Sequence, residues 1–324
     1  MVWASSMARK RFALFAWAVL AYNIPVILWG AYVRVSFSGD GCGAHWPFCN
    51  GQVIPQHMAA PMAIEFTHRL MTSIDTFAAI ALVVWAFLFF PRRHAVRRYA
   101  VFSLVFLLIE ALLGAGLVLL RYVAKDQSAG RAWYLSAHLT NTMLLLGALT
   151  ATAWLAYSGS ERLDLMLVPG RVLGALCITV LVSVTGAIAA LGDTLFPAVS
   201  LSSGVQQDFS NTASLLVRLR LVHPAIAIIG AGYIIWAAVS IFRRSSEASP
   251  VRSAGAHVIE LGMFQLAVGA VNVALLAPVW MQLFHLLVAD LVWIAVVLLA
   301  LESMAMRRAP QLEPAILPDT AALR

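Results

Sequence analysis

Long apolar stretches alternate with short polar joints along almost the whole chain. Eight of them, beginning near Phe12, Met62, Tyr99, Trp133, Val172, Leu215, His257 and Val279, reach the roughly 20 residues that a helix needs to cross the hydrocarbon core of a bilayer. Eight such helices leave little of the chain for a soluble domain. One joint differs from the rest: residues 158–171 hold Ser-Gly-Ser, charges of both signs and Pro169-Gly170, the composition of a linker between two bundles. The pattern predicts an all-α integral membrane protein of eight transmembrane helices, arranged as two tandem four-helix bundles at residues 1–157 and 172–305. The linker and a tail at 306–324 would be cytoplasmic, and three prolines without apolar periodicity suggest a disordered end.

Composition agrees with the pattern. Hydrophobic residues make up 61% and charged ones 11%, with a mean hydropathy of +0.85, far from the roughly one-quarter charged average of soluble domains. The net charge of +7 does not indicate nucleic-acid binding, because the basic residues sit in short clusters between apolar runs. Cytoplasmic loops carry an excess of Lys and Arg. An N-terminus on the inside puts Arg9, Lys10, Arg11, Arg92, Arg93, Arg97, Arg98, Arg162, Arg171, Arg243, Arg244, Arg252, Arg307, Arg308 and Arg324 on that face, fifteen of the 22 Lys and Arg. Arg34, Arg69, Arg121, Lys125, Arg131, Arg218 and Arg220 remain outside. Both termini are then cytoplasmic, in a multi-pass protein of the inner (cytoplasmic) membrane. Arg9-Lys10-Arg11 resembles the start of a signal peptide, but Tyr22, Asn23 and Trp29 follow without a small-residue cleavage site, so the first run is expected to be retained.

Ionisable side chains within apolar runs point to function, since hydrocarbon offers nothing to hydrate or pair them. Glu65-Phe66-Thr67-His68-Arg69 heads the run at 70–90, and His138, His223 and His285 fall near the start of later runs, all toward the outer leaflet. These positions repeat. His68 precedes Gly114 by 46 residues and His223 precedes Gly269 by 46; Gly30 precedes His68 by 38 and Gly186 precedes His223 by 37. Glu110 before Gly114 corresponds to Gln265 before Gly269, and Glu65 corresponds to Arg220. The interval to the last histidine is 70 residues in one half and 62 in the other, a shortfall we place at the tight joint around Ala277-Pro278. With four helices in each half, the repeats share one orientation and are related by a pseudo-two-fold axis along the membrane normal.

Two imidazoles from facing helices can clasp heme iron from above and below the porphyrin plane. A single membrane histidine is more simply read as a hydrogen-bonded core residue; four at one depth, paired by a repeat, favour ligation. Copper and zinc fit less well, because thiolate and carboxylate partners are sparse. Heme propionates at the outer interface would find Arg34, Arg69, Arg131, Arg218 and Arg220, although each of these could equally snorkel from a helix end. Only the first half has an acid, Glu65, one turn before its histidine; the second has Arg220 there. That asymmetry suggests a reactive heme site in the first bundle and an electron-transfer heme in the second. Asp75 and Asp290 lie deeper, as interhelical hydrogen-bonding groups or parts of a proton path. In the Gly-rich outer loop at 36–51, Cys42 and Cys49 suit a disulfide on an oxidising face. A reduced pair stays open, and zinc would need His45 and His57 as well. Cys177 is expected to pack inertly and His94 to be solvated.

Cys42 and Cys49 with Trp46-Pro47 between them, Glu65-x-x-His68-Arg69, His138, His223-Pro224, His285 and the repeated eight-helix plan together resemble the heme A synthase family, over roughly residues 12–304. The resemblance implies conversion of heme O to heme A for terminal oxidases, by oxidation of one porphyrin methyl group to a formyl through hydroxylated intermediates. It further implies that His223 and His285 ligate a resident heme b and that His68 and His138 line the substrate site. Glu65 would be catalytic, as a base or as a stabiliser of positive charge beside the ring, and Cys42 and Cys49 would be disulfide-bonded. The implied partners are heme O as substrate, membrane lipid, heme O synthase, an unidentified electron partner and a further copy of the chain in a homo-oligomer. Some members carry a second cysteine pair in the later outer loop, whereas residues 192–214 contain no cysteine. With no nicotinamide or flavin motif, the redox partner comes from elsewhere. Two other readings compete: a quinone-linked diheme cytochrome, which would not need Glu65, and a heme transporter, which would want helix breakers at matched midplane positions.

Overall fold

The computed structural model describes residues 6–211 and 214–312. Its helices are α1 (Ser6–Val35), α2 (Ala60–Phe89), α3 (Ala95–Leu119), α4 (Ala129–Ser158), α5 (Gly170–Leu195), α6 (Leu201–Asp208), α7 (Leu215–Phe242), α8 (Pro250–Ala274) and α9 (Val279–Leu312). All but the short α6 are long and apolar enough to span a membrane, so eight spans stand among the described residues, and no strand accompanies them. The chain is an all-α integral membrane protein. Helices begin earlier than hydropathy suggests where a polar cap sets the start. Ser128 accepts from the Arg131 amide at 3.2 Å and so opens α4 ahead of Trp133, while Pro250 opens α8 ahead of His257, a position where its missing N–H costs nothing.

Helix adjacency follows the repeat. In the first half α1 packs on α2 and α4, and α3 packs on α2 and α4; in the second, α5 packs on α7 and α9, and α8 packs on α7 and α9. The halves meet where α4 contacts α5 and α9, with α1 also touching α9. Gly147 of α4 faces the Trp293 ring there, at a distance where a Cβ would make an ordinary contact of 3.7 Å. Two indoles tie this seam from opposite sides. Trp293 Nε1 donates to the Met143 carbonyl at 2.7 Å, and Trp154 Nε1 donates to Glu302 at 2.7 Å. Away from the seam, Phe77, Leu88, Ile228 and Ile229 are exposed. Such outward apolar faces are stable in hydrocarbon, where the helix satisfies its own backbone.

Gly159, in the left-handed region at φ 76°, closes α4, and a 3-10 turn at Leu165–Leu167 leads to α5. Helix α9 continues to Leu312, so the tail expected at 306–324 begins as helix, and the remainder lies outside the described residues. Two expectations are corrected. His94 is buried, not solvated: its ring sits 4.7 Å from Phe90 and its Nδ1 caps α3 by accepting from the Val96 amide at 3.2 Å. Burial lowers its pKa, an effect partly opposed by Glu161. Cys177 is exposed on the outward side of α5 and does not pack in the core.

Candidate functional site

Each of the four histidines stands in the opening turns of its helix, on α2, α4, α7 and α9. Each lies against a glycine of the preceding spanning helix. A Cβ added to Gly30 of α1 would meet His68 Cε1 at 2.9 Å, and one on Gly114 of α3 would meet His138 Nε2 at 3.5 Å. In the second half, a Cβ on Gly186 of α5 would meet His223 at 3.0 Å and one on Gly269 of α8 would meet His285 at 3.1 Å. The glycines that align the two repeats are therefore the floor on which the imidazoles rest. His68 lies within electrostatic reach of His138, and His285 within reach of His223, so each half brings its two histidines near one another.

The rings differ in what holds them. His138 Nδ1 lies 2.7 Å from Glu110 of α3. That carboxylate also accepts from Asn141 at 2.6 Å and from the Thr142 hydroxyl. In the second half Gln265 takes the corresponding place, reaching the His285 carbonyl at 3.2 Å and its Nε2 at 3.4 Å. His223 Nδ1 meets the Thr185 hydroxyl at 3.1 Å. His68 Nδ1 and His285 Nδ1 are buried with no partner among the described residues. Asp75 accepts from Asn23 at 3.0 Å, the interhelical bond expected of it.

Glu65 is 3% exposed and anchors the outer loop. One oxygen accepts from the Cys42 amide at 2.8 Å and the other pairs with Arg69 at 2.5 Å. Arg69 in turn donates to the carbonyls of His45 at 2.6 Å and Phe48 at 2.8 Å. Cys42 and Cys49 are disulfide-bonded in this loop. The equivalent position in the other half does the same work with opposite charge. Arg220 bonds Asp208 at 2.5 Å and the Phe196 carbonyl at 2.9 Å, with Asp193 at 3.6 Å, and so fastens α6 and its loop over α7.

Among the other arginines, Arg218 is bound to the carbonyl of Asn211 at 3.1 Å and Arg131 to those of Ala124 and Asp126, each at 2.8 Å. Arg34 feels both Arg131 and Asp193, which places it between the halves. Its Nη1 and the Nε of Arg131 are buried without a partner among the described residues.

Such a site suits a tetrapyrrole better than a bare ion. No three His, Cys, Asp or Glu gather to hold a metal among the described residues, whereas heme iron brings four ring ligands and asks the protein for axial ones. Two histidines in each half, one of them with a buried ring nitrogen left unpartnered among the described residues, His68 Nδ1 and His285 Nδ1, fit that demand. Sequence reasoning aligned Glu110 with Gln265 and did not connect either to a histidine. The available signal was a carboxylate four residues from the glycine that faces His138.

The fold defines an eight-span membrane protein with two half-buried histidines on the helices of each half. A family model described as cytochrome oxidase assembly protein, COX15-CtaA, matches residues 13–297, and the chain belongs to that family. Protoheme IX farnesyltransferase of Thermus thermophilus is 42% identical over 296 residues, which is 90% of this chain and 48% of that protein. Heme A synthase of Exiguobacterium sp. AT1b is 36% identical over 110 residues, 34% of this chain and 36% of the relative. Heme A synthase of Geobacillus kaustophilus is 36% identical over 104 residues, 32% of this chain and 33% of the relative. The chain thus spans about half the length of its Thermus relative.

Proposed function

We propose that this chain is a heme A synthase, a membrane oxidoreductase that converts one methyl group of heme O to a formyl group. The observation that carries the reading is the pair of glycine-floored histidine sites, of which the first sets a carboxylate, Glu110, against one histidine and the buried Glu65 one turn before the other, where the second has Gln265 and Arg220. Family membership and relatives named heme A synthase support it. The Thermus relative bears a different name, but the match covers only half of it. A heme O synthase, as the source of the farnesylated heme, is the natural partner of this chain in that reading.

In this proposal residues 1–157 bind substrate heme between His68 and His138, and residues 172–305 hold a resident heme b between His223 and His285. A bound heme would supply redox chemistry at its iron. The chain's own residues do the rest. The four glycines admit the imidazoles, Glu65 places a carboxylate above the first site and offers a proton acceptor, and the disulfide loop fastened to it covers that site from water. Arg34, with a buried Nη1 unpartnered among the described residues, is the strongest candidate for a propionate; Arg131 keeps only its Nε free, its Nη1 being bound to the Ala124 and Asp126 carbonyls, and Arg69, Arg218 and Arg220 have protein acceptors. Placement in the inner membrane with both termini cytoplasmic follows from the Lys and Arg distribution. Expression in a host that supplies heme O, followed by chromatography and mass analysis of extracted hemes, is expected to yield hydroxylated and formyl products. Recovery of heme O and heme b alone, from protein carrying its full heme complement, would leave a diheme cytochrome as the better description.

A further inference from the structure

Among the differences between the two histidine pairs, the group behind the last histidine of each half is an electrical one. Behind His138 stands Glu110, a carboxylate 2.7 Å from Nδ1, fixed in turn by Asn141 and Thr142. Behind His285 stands Gln265, a neutral amide that reaches Nε2 only at 3.4 Å, while Nδ1 has no partner among the described residues. The two positions are equivalent in the repeat, four residues before Gly114 and Gly269. They differ in charge and in the ring nitrogen they meet, Nδ1 of His138 and Nε2 of His285.

A carboxylate accepting the Nδ1 proton fixes the tautomer, leaves Nε2 as the coordinating nitrogen and raises its basicity. A more basic axial ligand, with negative charge beside it, favours the oxidised iron and lowers its potential. Glu110 can exert this effect strongly because its own hydrogen bonds come from neutral groups, Asn141 and Thr142, and no Lys or Arg is ion-paired to it among the described residues, in contrast to Glu65, which pairs with Arg69. We propose that Glu110 is a positioning residue that orients His138 and makes the first-half heme the more reducing of the two, and that Gln265 keeps the second-half heme at the higher potential. The division between a reacting and an electron-accepting half would then lie in this Glu/Gln pair as much as in Glu65, with electrons withdrawn from the first site flowing downhill to the second. The inference rests on the two-heme reading above.

The test is spectroelectrochemical titration of the full-length protein loaded with protoheme at both sites, comparing wild type with Glu110→Gln, Glu110→Ala and Gln265→Glu. Glu110→Gln preserves an acceptor for the Nδ1 proton while removing the charge. It is expected to retain the heme and shift the oxidised-to-reduced ratio at that site by about tenfold toward reduction, equivalent to about 59 mV for one electron. Glu110→Ala is expected to weaken heme retention as well, by about 10–100-fold. Gln265→Glu should move the other heme the opposite way, and this arm stands even if the Glu110 variants fail to fold. Unchanged potentials in both Glu110→Gln and Gln265→Glu would overturn the proposal. A wild-type protein that binds a single heme would overturn the two-heme reading itself, a result distinguishable because it appears before any substitution is made.

Discussion

Glu65→Ala is expected to lower formation of oxidised heme by about 10²–10⁴-fold, the range attributed to a positioned acid or base, while the spectrum of the second-half heme stays as it was. The variant also opens the loop anchor, because Glu65 holds the Cys42 amide and Arg69 together. Removing one partner of a buried ion pair costs about 3–5 kcal/mol when the other is left stranded. The cost is smaller here, since Arg69 keeps its bonds to the His45 and Phe48 carbonyls. Glu65→Gln separates the two roles in part: the amide oxygen can still accept from one of Cys42 and Arg69, so one of the two anchors is kept, but the base is gone. Loss of product in both variants, with resident heme intact, assigns chemistry to Glu65. Activity retained in Glu65→Gln and lost in Glu65→Ala would make it a loop anchor alone.

The second large effect is expected from glycines that touch no substrate. Gly30→Ala places a methyl 2.9 Å from His68, closer than real Cβ contacts allow, and Gly186→Ala one 3.0 Å from His223, tighter than nearly all of them. Overpacking of this kind costs about 1–3 kcal/mol, so heme retention should fall by roughly one to two orders of magnitude at the affected site. Gly269→Ala, at 3.1 Å, should resemble Gly186→Ala, whereas Gly114→Ala meets His138 at 3.5 Å, an ordinary contact, and should be nearly silent. Heme-to-protein ratios after purification test the order. A Gly114→Ala variant as poor as Gly30→Ala would remove the glycine floor as an explanation.

Much of this was legible in the chain because membrane folding writes itself in long runs. Hydropathy located eight spans, and internal spacing aligned Gly30 with Gly186 and Gly114 with Gly269 before any contact was known. The partners of polar groups were not legible, because they lie across the bundle. Glu65 reads as an acid beside a histidine, yet its bonds go to Arg69 and the backbone of a loop more than twenty residues away. Arg220 reads as a free cation for a propionate, yet the loop it closes supplies Asp208 and Asp193. Glu110 reads as one polar residue in an apolar run, and only the packing of α3 on α4 gives it His138. His94 follows the same rule at the inner surface. Its position in a basic joint suggests solvent, but the turn after α2 folds it under Phe90 to cap α3. Periodicity identifies a buried face without naming what the face meets.

The pairing of histidines within each half is tested most directly by low-temperature electron paramagnetic resonance of heme-loaded protein carrying His68→Ala, His138→Ala, His223→Ala or His285→Ala singly. Wild type is expected to give two low-spin bis-imidazole signals. His68→Ala and His138→Ala should each remove one and the same signal, and His223→Ala and His285→Ala should each remove the other. Loss of a common signal on replacing one histidine from each half, such as His68 and His223, would contradict the two-site architecture.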